Sequence, residues 1–96
     1  MLERDFQKKL IKKIKERFPG CEVLKNDSSY LQGVPDLLVL YGRRWAMLEC
    51  KHRDGSHRQP NQEHYVNRFN DMSYSNFITP ENQEDVLDEM EHALRS

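Results

Sequence analysis

The sequence has few cysteines, no long apolar run and no apolar leader. Its two cysteines, Cys21 and Cys50, are too few for a disulfide framework, so we expect a reducing, cytoplasmic compartment. No window approaches the ~18 consecutive apolar residues that a membrane-spanning helix needs. The first residues lead into a lysine-rich stretch, which argues against a secretory signal peptide.

Apolar residues are also scarce, at 36% of a 96-residue chain in which 32% of residues are charged. A chain of this length buries only about 60–65% of its unfolded surface, so it can hold one modest core. No repeat, low-complexity tract or linker interrupts it. We therefore expect one domain over residues 1–96, and dimerisation would add burial that a monomer lacks.

The net charge of −1 conceals an uneven distribution. Residues 1–58 hold 13 lysines and arginines against 8 acidic residues, whereas residues 59–96 hold 2 against 8. A basic front and an acidic back would suit a phosphate-bearing partner that approaches from one side, although a charged surface is often merely solvated. Charge thus leaves nucleic-acid binding open.

Hydrophobic periodicity predicts seven secondary-structure elements. Apolar residues recur at helical spacing over 3–18, and Gly42-Arg43 has the form of a two-residue hairpin turn. We expect Pro60 in the first turn of a second helix and Thr79 as the N-cap of a third. Strands are predicted over 21–24, 36–41, 45–51 and 74–78. The expected fold is α/β, ordered α-β-β-β-α-β-α, with a central mixed sheet flanked by helices and a hairpin covered on both faces.

The predicted hairpin brings three chemically active side chains to one end of two strands. Its turn places Asp36 opposite Glu49, with Cβ atoms about 5 Å apart, and alternation puts Lys51 on the same face. Two close carboxylates repel each other unless a cation intervenes, and Mg²⁺ prefers one or two carboxylates with water and phosphate oxygens. A neighbouring lysine can orient a water or stabilise developing charge. The alternative is a structural ion pair bridged by Lys51.

Two further polar residues fall on the packed faces of predicted helices. Glu3 lies within the apolar arc of the first helix, where a carboxylate needs a partner. Gln62 precedes Val66 by four positions and therefore shares its face. Glu3 could equally fray into solvent, and Gln62 could serve the first turn of its own helix. Together they favour a polar site at one end of the sheet.

Two short motifs flank the hairpin. Gly33-Val34-Pro35-Asp36 precedes its first strand, and Glu49-Cys50-Lys51 ends its second, with twelve residues between them. With Glu3 and Gln62, these motifs make the chain resemble the PD-(D/E)XK nuclease superfamily. Within that superfamily it is most similar to a minimal stand-alone VRR-NUC domain of the kind that phages carry. The resemblance covers nearly the whole chain.

The resemblance implies a metal-dependent active site. Asp36 and Glu49 would bind Mg²⁺, for which Mn²⁺ would substitute, with help from the Cys50 carbonyl and from Glu3. Lys51 would act on the attacking water, and Gln62 would brace the site. Stand-alone members resemble dimeric Holliday-junction resolvases, whereas fused domains act on flaps and repair intermediates.

The expected function is therefore a Mg²⁺-dependent endodeoxyribonuclease that cuts branched DNA as a homodimer, with no organic cofactor. Alternatives are a non-catalytic DNA-binding or adaptor module with a degenerate nuclease fold, a nuclease of flaps or replication intermediates, and a sequence-specific restriction enzyme. The candidate phosphate contacts, for which a plain solvated surface is the alternative, are Lys8, Lys12, Lys15, Arg43, Arg44 and Arg53.

Overall fold

A computed structural model describes residues 2–96, and its elements follow in the predicted order. The helices are α1 (Glu3–Arg17), α2 (Pro60–Met72) and α3 (Gln83–Arg95). The strands are β1 (Glu22–Lys25), β2 (Leu37–Tyr41), β3 (Arg44–Cys50) and β4 (Tyr74–Ile78). The predicted α/β class and element order are confirmed. Within residues 2–96, every helix is too short or too polar to cross a bilayer.

The four strands form one mixed sheet in the order β1-β2-β3-β4. The first three strands are antiparallel neighbours, and β4 runs parallel to β3. The predicted hairpin register is confirmed, since Tyr41 pairs with Arg44 and Leu38 with Met47. A parallel pair needs a long crossover, and α2 occupies that connection. Its first turn therefore lies close to the end of β3.

The helices cover the two faces of the sheet unequally. α1 and α3 pack on one face around the main core, which includes Leu10, Leu48 and Met90. α2 packs on the other face, mainly against β3 and β4. Leu24 and Leu40 on that second face stay 46% and 39% exposed, because this 13-residue helix does not reach β1 and β2. The expectation of cover on both hairpin faces therefore holds for β3 and fails for part of β2.

The start of α3 differs from the prediction. Thr79 is not its N-cap, because the helix begins at Gln83 after a turn and Asn82 is the N-cap. Thr79 is buried, and its hydroxyl donates to Asp54 Oδ1 at 2.6 Å while accepting the Asn82 N–H at 3.1 Å. The side chain of Asn82 in turn accepts the Thr79 N–H at 2.7 Å. These reciprocal bonds support a turn of three residues before the helix starts.

The basic and acidic halves of the chain do not form separate sides of the molecule. α1 and α3 lie on the same sheet face, and ion pairs join them. Lys13 lies 3.6 Å from Glu84, and Arg17 contacts both Asp88 and Glu91. The acidic helix thus neutralises part of the basic one, and the expected one-sided basic front is correspondingly reduced.

Candidate active site

Asp36 lies immediately before β2, and its side chain accepts a backbone hydrogen bond from β3. Its Oδ2 accepts the backbone N–H of Cys50 at 3.0 Å, which holds the carboxylate beside the end of β3. Burial raises the pKa of Asp36, and the negative charge of Glu3 adds to the effect. The Cys50 N–H and the charge of Lys51 lower that pKa in part. The carboxylate is therefore held in position while its ionised form is disfavoured.

Glu49 lies at the end of β3 on the face covered by α2, and its side chain is only 4% exposed. Its Oε2 accepts a hydrogen bond from Gln62 Nε2 at 3.1 Å. Its Oε1 is buried without a hydrogen-bond partner among the described residues. Burial, followed by the charge of Asp36, raises the pKa of Glu49 to about 8. A buried anionic oxygen without a partner is unfavourable unless a cation or a proton neutralises it.

Gln62 connects the candidate carboxylate to the candidate lysine. Its Oε1 accepts Lys51 Nζ at 2.9 Å and the Gln59 N–H at 3.0 Å, so it closes the capping box of α2. Gln62 therefore caps its helix and also contacts both Glu49 and Lys51, which is the geometry that the proposed bracing role needs. The alternative of a Lys51 ion pair is not what residues 2–96 show, since no carboxylate there lies within 4 Å of Lys51 Nζ.

Glu3 and Cys50 differ in which of their groups lies near the site. Glu3 is exposed at the start of α1, but its charge raises the pKa of both Asp36 and Glu49, so it lies at the same end of the sheet. The Cys50 thiol points into the core, where burial raises its pKa. Only the backbone of Cys50 faces the site. Its thiol contacts the side chain of Gln7, a residue that sequence reasoning missed although it lies one helical turn after Glu3.

The loop before Asp36 is locked against the first turn of α2. Gly33 has a φ of +91°, and a Cβ at this position would lie 2.7 Å from Asn61 Cγ and 2.9 Å from the Asn61 carbonyl carbon. On the other side, Asn26 donates its side-chain N–H to Pro35 O at 2.8 Å and its backbone N–H to Asp36 O at 2.9 Å. Gly33, Asn61 and Asn26 thus position both halves of the site.

The described residues fit a hard divalent cation with few protein ligands. No group of three His, Cys, Asp or Glu residues in 2–96 is placed to hold a metal. Asp36 and Glu49 nevertheless supply two neighbouring carboxylates, one with a buried and unpartnered oxygen. Mg²⁺ commonly binds through one or two carboxylates and completes its shell with water and phosphate oxygens. The donor set thus matches Mg²⁺ better than zinc.

The candidate phosphate contacts are dispersed over the molecule. Lys8, Lys12 and Lys15 are exposed on α1, and Arg53 is exposed in the loop after β3. Arg43 and Arg44 lie at the hairpin tip, about 20 Å along β2 from Asp36. Arg44 donates to Ala93 O at 3.2 Å and to Ser96 Oγ at 3.1 Å, so it caps the end of α3. Both arginines at the tip are exposed, but Arg44 is already bonded to the end of α3, which leaves Arg43 as the better candidate for a phosphate contact there.

Comparisons with known proteins identify the fold. No family model and no curated protein matches the sequence. A solved structure described as a VRR_NUC domain is 28% identical, with a TM-score of 0.64 over 88% of this chain and 94% of that chain. The chain has the VRR-NUC fold. The predicted resemblance to VRR-NUC domains and to their PD-(D/E)XK core is confirmed, and the VRR-NUC similarity supports a nuclease domain.

Gly33→Ala tests whether the loop and α2 are locked together. We expect it to destabilise the protein by about 2–4 kcal/mol, because the new Cβ is strained and also meets the Asn61 backbone. Gly20→Ala is the matched control, since Gly20 has a φ of +89° and open space around it. The unfolding free energies of both variants are measured by urea denaturation. Equal losses in the two variants would show that contact with Asn61 contributes nothing.

Glu49→Gln tests the burial of the carboxylate. A raised pKa means that the folded state binds the proton more tightly than the unfolded state. The unfolding free energy of the metal-free protein therefore falls as pH rises from about 4.5 towards about 8. Glutamine keeps the acceptor for Gln62 without the charge, so we expect it to stabilise the protein by about 1–3 kcal/mol at pH 8 and much less at pH 5.

Urea unfolding in the presence of a chelator, at both pH values, measures the effect of Glu49→Gln. The exposed Glu16→Gln is the control and should leave the pH dependence unchanged. If the unfolding free energies of the wild type and Glu49→Gln changed with pH in the same way, the carboxylate of Glu49 would not be buried without compensation.

Proposed function

We propose that this chain is a metal-dependent endodeoxyribonuclease that hydrolyses backbone phosphodiesters of branched DNA. The observation that carries the proposal is the hydrogen-bonded series Glu49–Gln62–Lys51 beside Asp36. It lies at the sheet end of a VRR-NUC fold. Lys51 pairs with no carboxylate among the described residues, and one buried oxygen of Glu49 has no protein partner, so both groups can contact a metal ion or a substrate.

Asp36 and Glu49 would hold Mg²⁺ or Mn²⁺, with Glu3 and the Cys50 carbonyl as supporting ligands. The bound ion would lower the pKa of a water and neutralise negative charge that develops on the phosphate. Gln62 holds Lys51 Nζ at 2.9 Å and thereby fixes the direction of the ammonium group. Because no carboxylate neutralises it within the described chain, Lys51 is available to orient the water or to contact the phosphate.

A homodimer acting on a four-way junction is the form of this activity that we favour. Two identical sites related by a two-fold axis suit a symmetric junction that needs two cuts. The uncovered face over β1 and β2 supports association, because Leu24 and Leu40 expose apolar surface there. Arg53 and the lysines of α1 would contact phosphates.

Substitution of the site residues should separate catalysis from DNA binding. We expect Asp36→Asn, Glu49→Gln and Lys51→Met each to reduce Mg²⁺-dependent cleavage by at least a hundredfold, because each removes a group acting on the reacting atoms. Affinity for DNA, measured in Ca²⁺, should change by less than about threefold, since phosphate contacts elsewhere dominate it. Mn²⁺ should raise the melting temperature of the wild type and not that of Glu49→Gln.

Glu16→Gln is the control for these substitutions, because it removes an exposed carboxylate of α1. Cleavage by Asp36→Asn at the wild-type rate would overturn the mechanism. A wild type that binds DNA, ignores divalent ions and cuts no substrate would instead favour the adaptor module.

A mixed dimer should test junction resolution. We expect the wild type to sediment as a dimer and to cut a four-way junction on two opposed strands, in preference to a 5′ flap, a splayed arm or a duplex. Heterodimers of wild-type and Asp36→Asn chains should yield single nicks, because each site cuts one strand. A monomer active only on flaps would refute the resolvase and leave the nuclease intact.

A further inference from the structure

A polar groove runs along the free edge of β4, between α2 and α3. Its volume is about 270 Å³, and its lining includes Arg58, Glu63, Asn67, Asn70, Ser75 and Phe77. β4 is a terminal strand of the sheet, so one of its edges has no neighbouring strand among the described residues. Asp36, Glu49 and Lys51 do not line the groove, and nothing in the proposed cleavage step uses it.

The free edge of β4 is closed to another strand. The Ser75 N–H donates to Asn70 Oδ1 at 3.1 Å, and the Phe77 N–H donates to Asn76 Oδ1 at 2.8 Å. The Phe77 carbonyl accepts Asn82 Nδ2 at 3.3 Å. Strand addition requires these backbone groups to be free. The occupant of the groove is therefore recognised by side chains and not by the strand edge.

Ser75 is a polar group that lacks a protein partner. It is 4% exposed and lines the groove, and its Oγ makes no hydrogen bond within the described chain. Buried hydroxyl groups are nearly always hydrogen-bonded, so Ser75 Oγ keeps the capacity to bond with a water or a ligand that reaches the wall of the groove. The neighbouring amides of Asn67 and Asn70 add donors and acceptors with fixed spacing along one face of α2.

The groove begins beside the candidate active site. Phe77 is the β4 partner of Glu49 in the register of the parallel pair. The guanidinium of the exposed Arg58 lies over the Phe77 ring, 3.9 Å from its centroid. A guanidinium can stack on planar groups with either of its faces. Farther along, Glu63 and Glu89 line the walls. Carboxylates disfavour a phosphate there, so the lining suits a neutral, planar group with hydrogen-bonding edges.

We propose that this groove binds an unpaired nucleobase of the DNA substrate, next to the phosphate held at Asp36 and Glu49. The base would stack on the Arg58 guanidinium and hydrogen-bond with Ser75 and the amides of α2. The proposal rests on the proposed function in taking DNA as the source of the base. According to this proposal, the protein recognises a branched substrate by an unpaired nucleotide that lies beside the cut.

Nucleoside titration tests the groove without requiring cleavage. We expect thymidine and deoxyadenosine, added to the ¹⁵N-labelled full chain, to shift the side-chain amide signals of Asn67 and Asn70 in a saturable manner. Ser75→Ala should weaken this binding by at least about threefold and leave the fold intact, because Ser75 Oγ has no protein bond to lose. Ser28→Ala, in an exposed loop, is the control. Inorganic phosphate should produce no shift at these signals.

An abasic substrate tests the groove during cleavage. The cut position is mapped first, and the unpaired nucleotide next to it is then replaced by an abasic analogue. This change should slow cleavage by the wild type about tenfold, since the stacking of the base is lost. Arg58→Gln should cut the two substrates at nearly equal rates, whereas the exposed Arg68→Gln should keep the wild-type preference.

The outcomes separate this proposal from the proposed function. Saturable nucleoside binding in a protein that cuts no DNA would support the groove and refute the nuclease. Asp36-dependent cleavage with no nucleoside shift and no abasic effect would refute the groove alone. Equal nucleoside shifts in the wild type and Ser75→Ala, or shifts at Asn67 and Asn70 only with an extended peptide, would also overturn it.

Discussion

Glu49 places a carboxylate under α2 with 4% of its side chain exposed and one oxygen without a protein partner. Such a group destabilises the folded state unless it is protonated or paired, and the adjacent Asp36 makes ionisation less favourable still. The surrounding polar contacts are therefore as important as the hydrophobic core. They hold the carboxylate in position, and one of its oxygens keeps no hydrogen-bond partner among the described residues.

The need to hold Glu49 in position explains how α2 is attached to the sheet. α2 contributes little to the main core, since Val66 is its one buried residue. Its first turn is instead fixed by Gln62 to Glu49 and Lys51, and by Asn61 to the Gly33 loop. The same contacts close the end of the sheet and orient the site. The stability of this end and the geometry of the candidate site thus depend on the same contacts, while α1 and α3 supply most of the apolar burial on the other face.

Sequence periodicity correctly predicts the structural features that depend on residues close together in the sequence. A two-residue turn fixes the hairpin register, which is why the sequence alone predicts that Asp36 and Glu49 lie together. Gln62 could be placed because helical spacing puts it on the packed face. The Gly33–Asn61 contact and the Arg44 cap of α3 were not foreseen, since they join residues far apart in sequence. Thr79 was misplaced because its hydroxyl serves Asp54 and a turn.

The placement of charge limits how a DNA substrate can be recognised. Lys13 and Arg17 pair with acidic residues of α3, and Arg44 is held at a helix end, so fewer cations are free for phosphates than the count suggests. Affinity for a plain duplex grows with the number of phosphates neutralised, so each cation that is paired within the protein lowers that affinity. Phosphate contacts do not distinguish one DNA form from another, so selection between forms rests on features that a duplex lacks. The groove along β4 suits such a feature, because its amide groups and the Arg58 guanidinium can contact an exposed base and cannot contact a paired one in the same way.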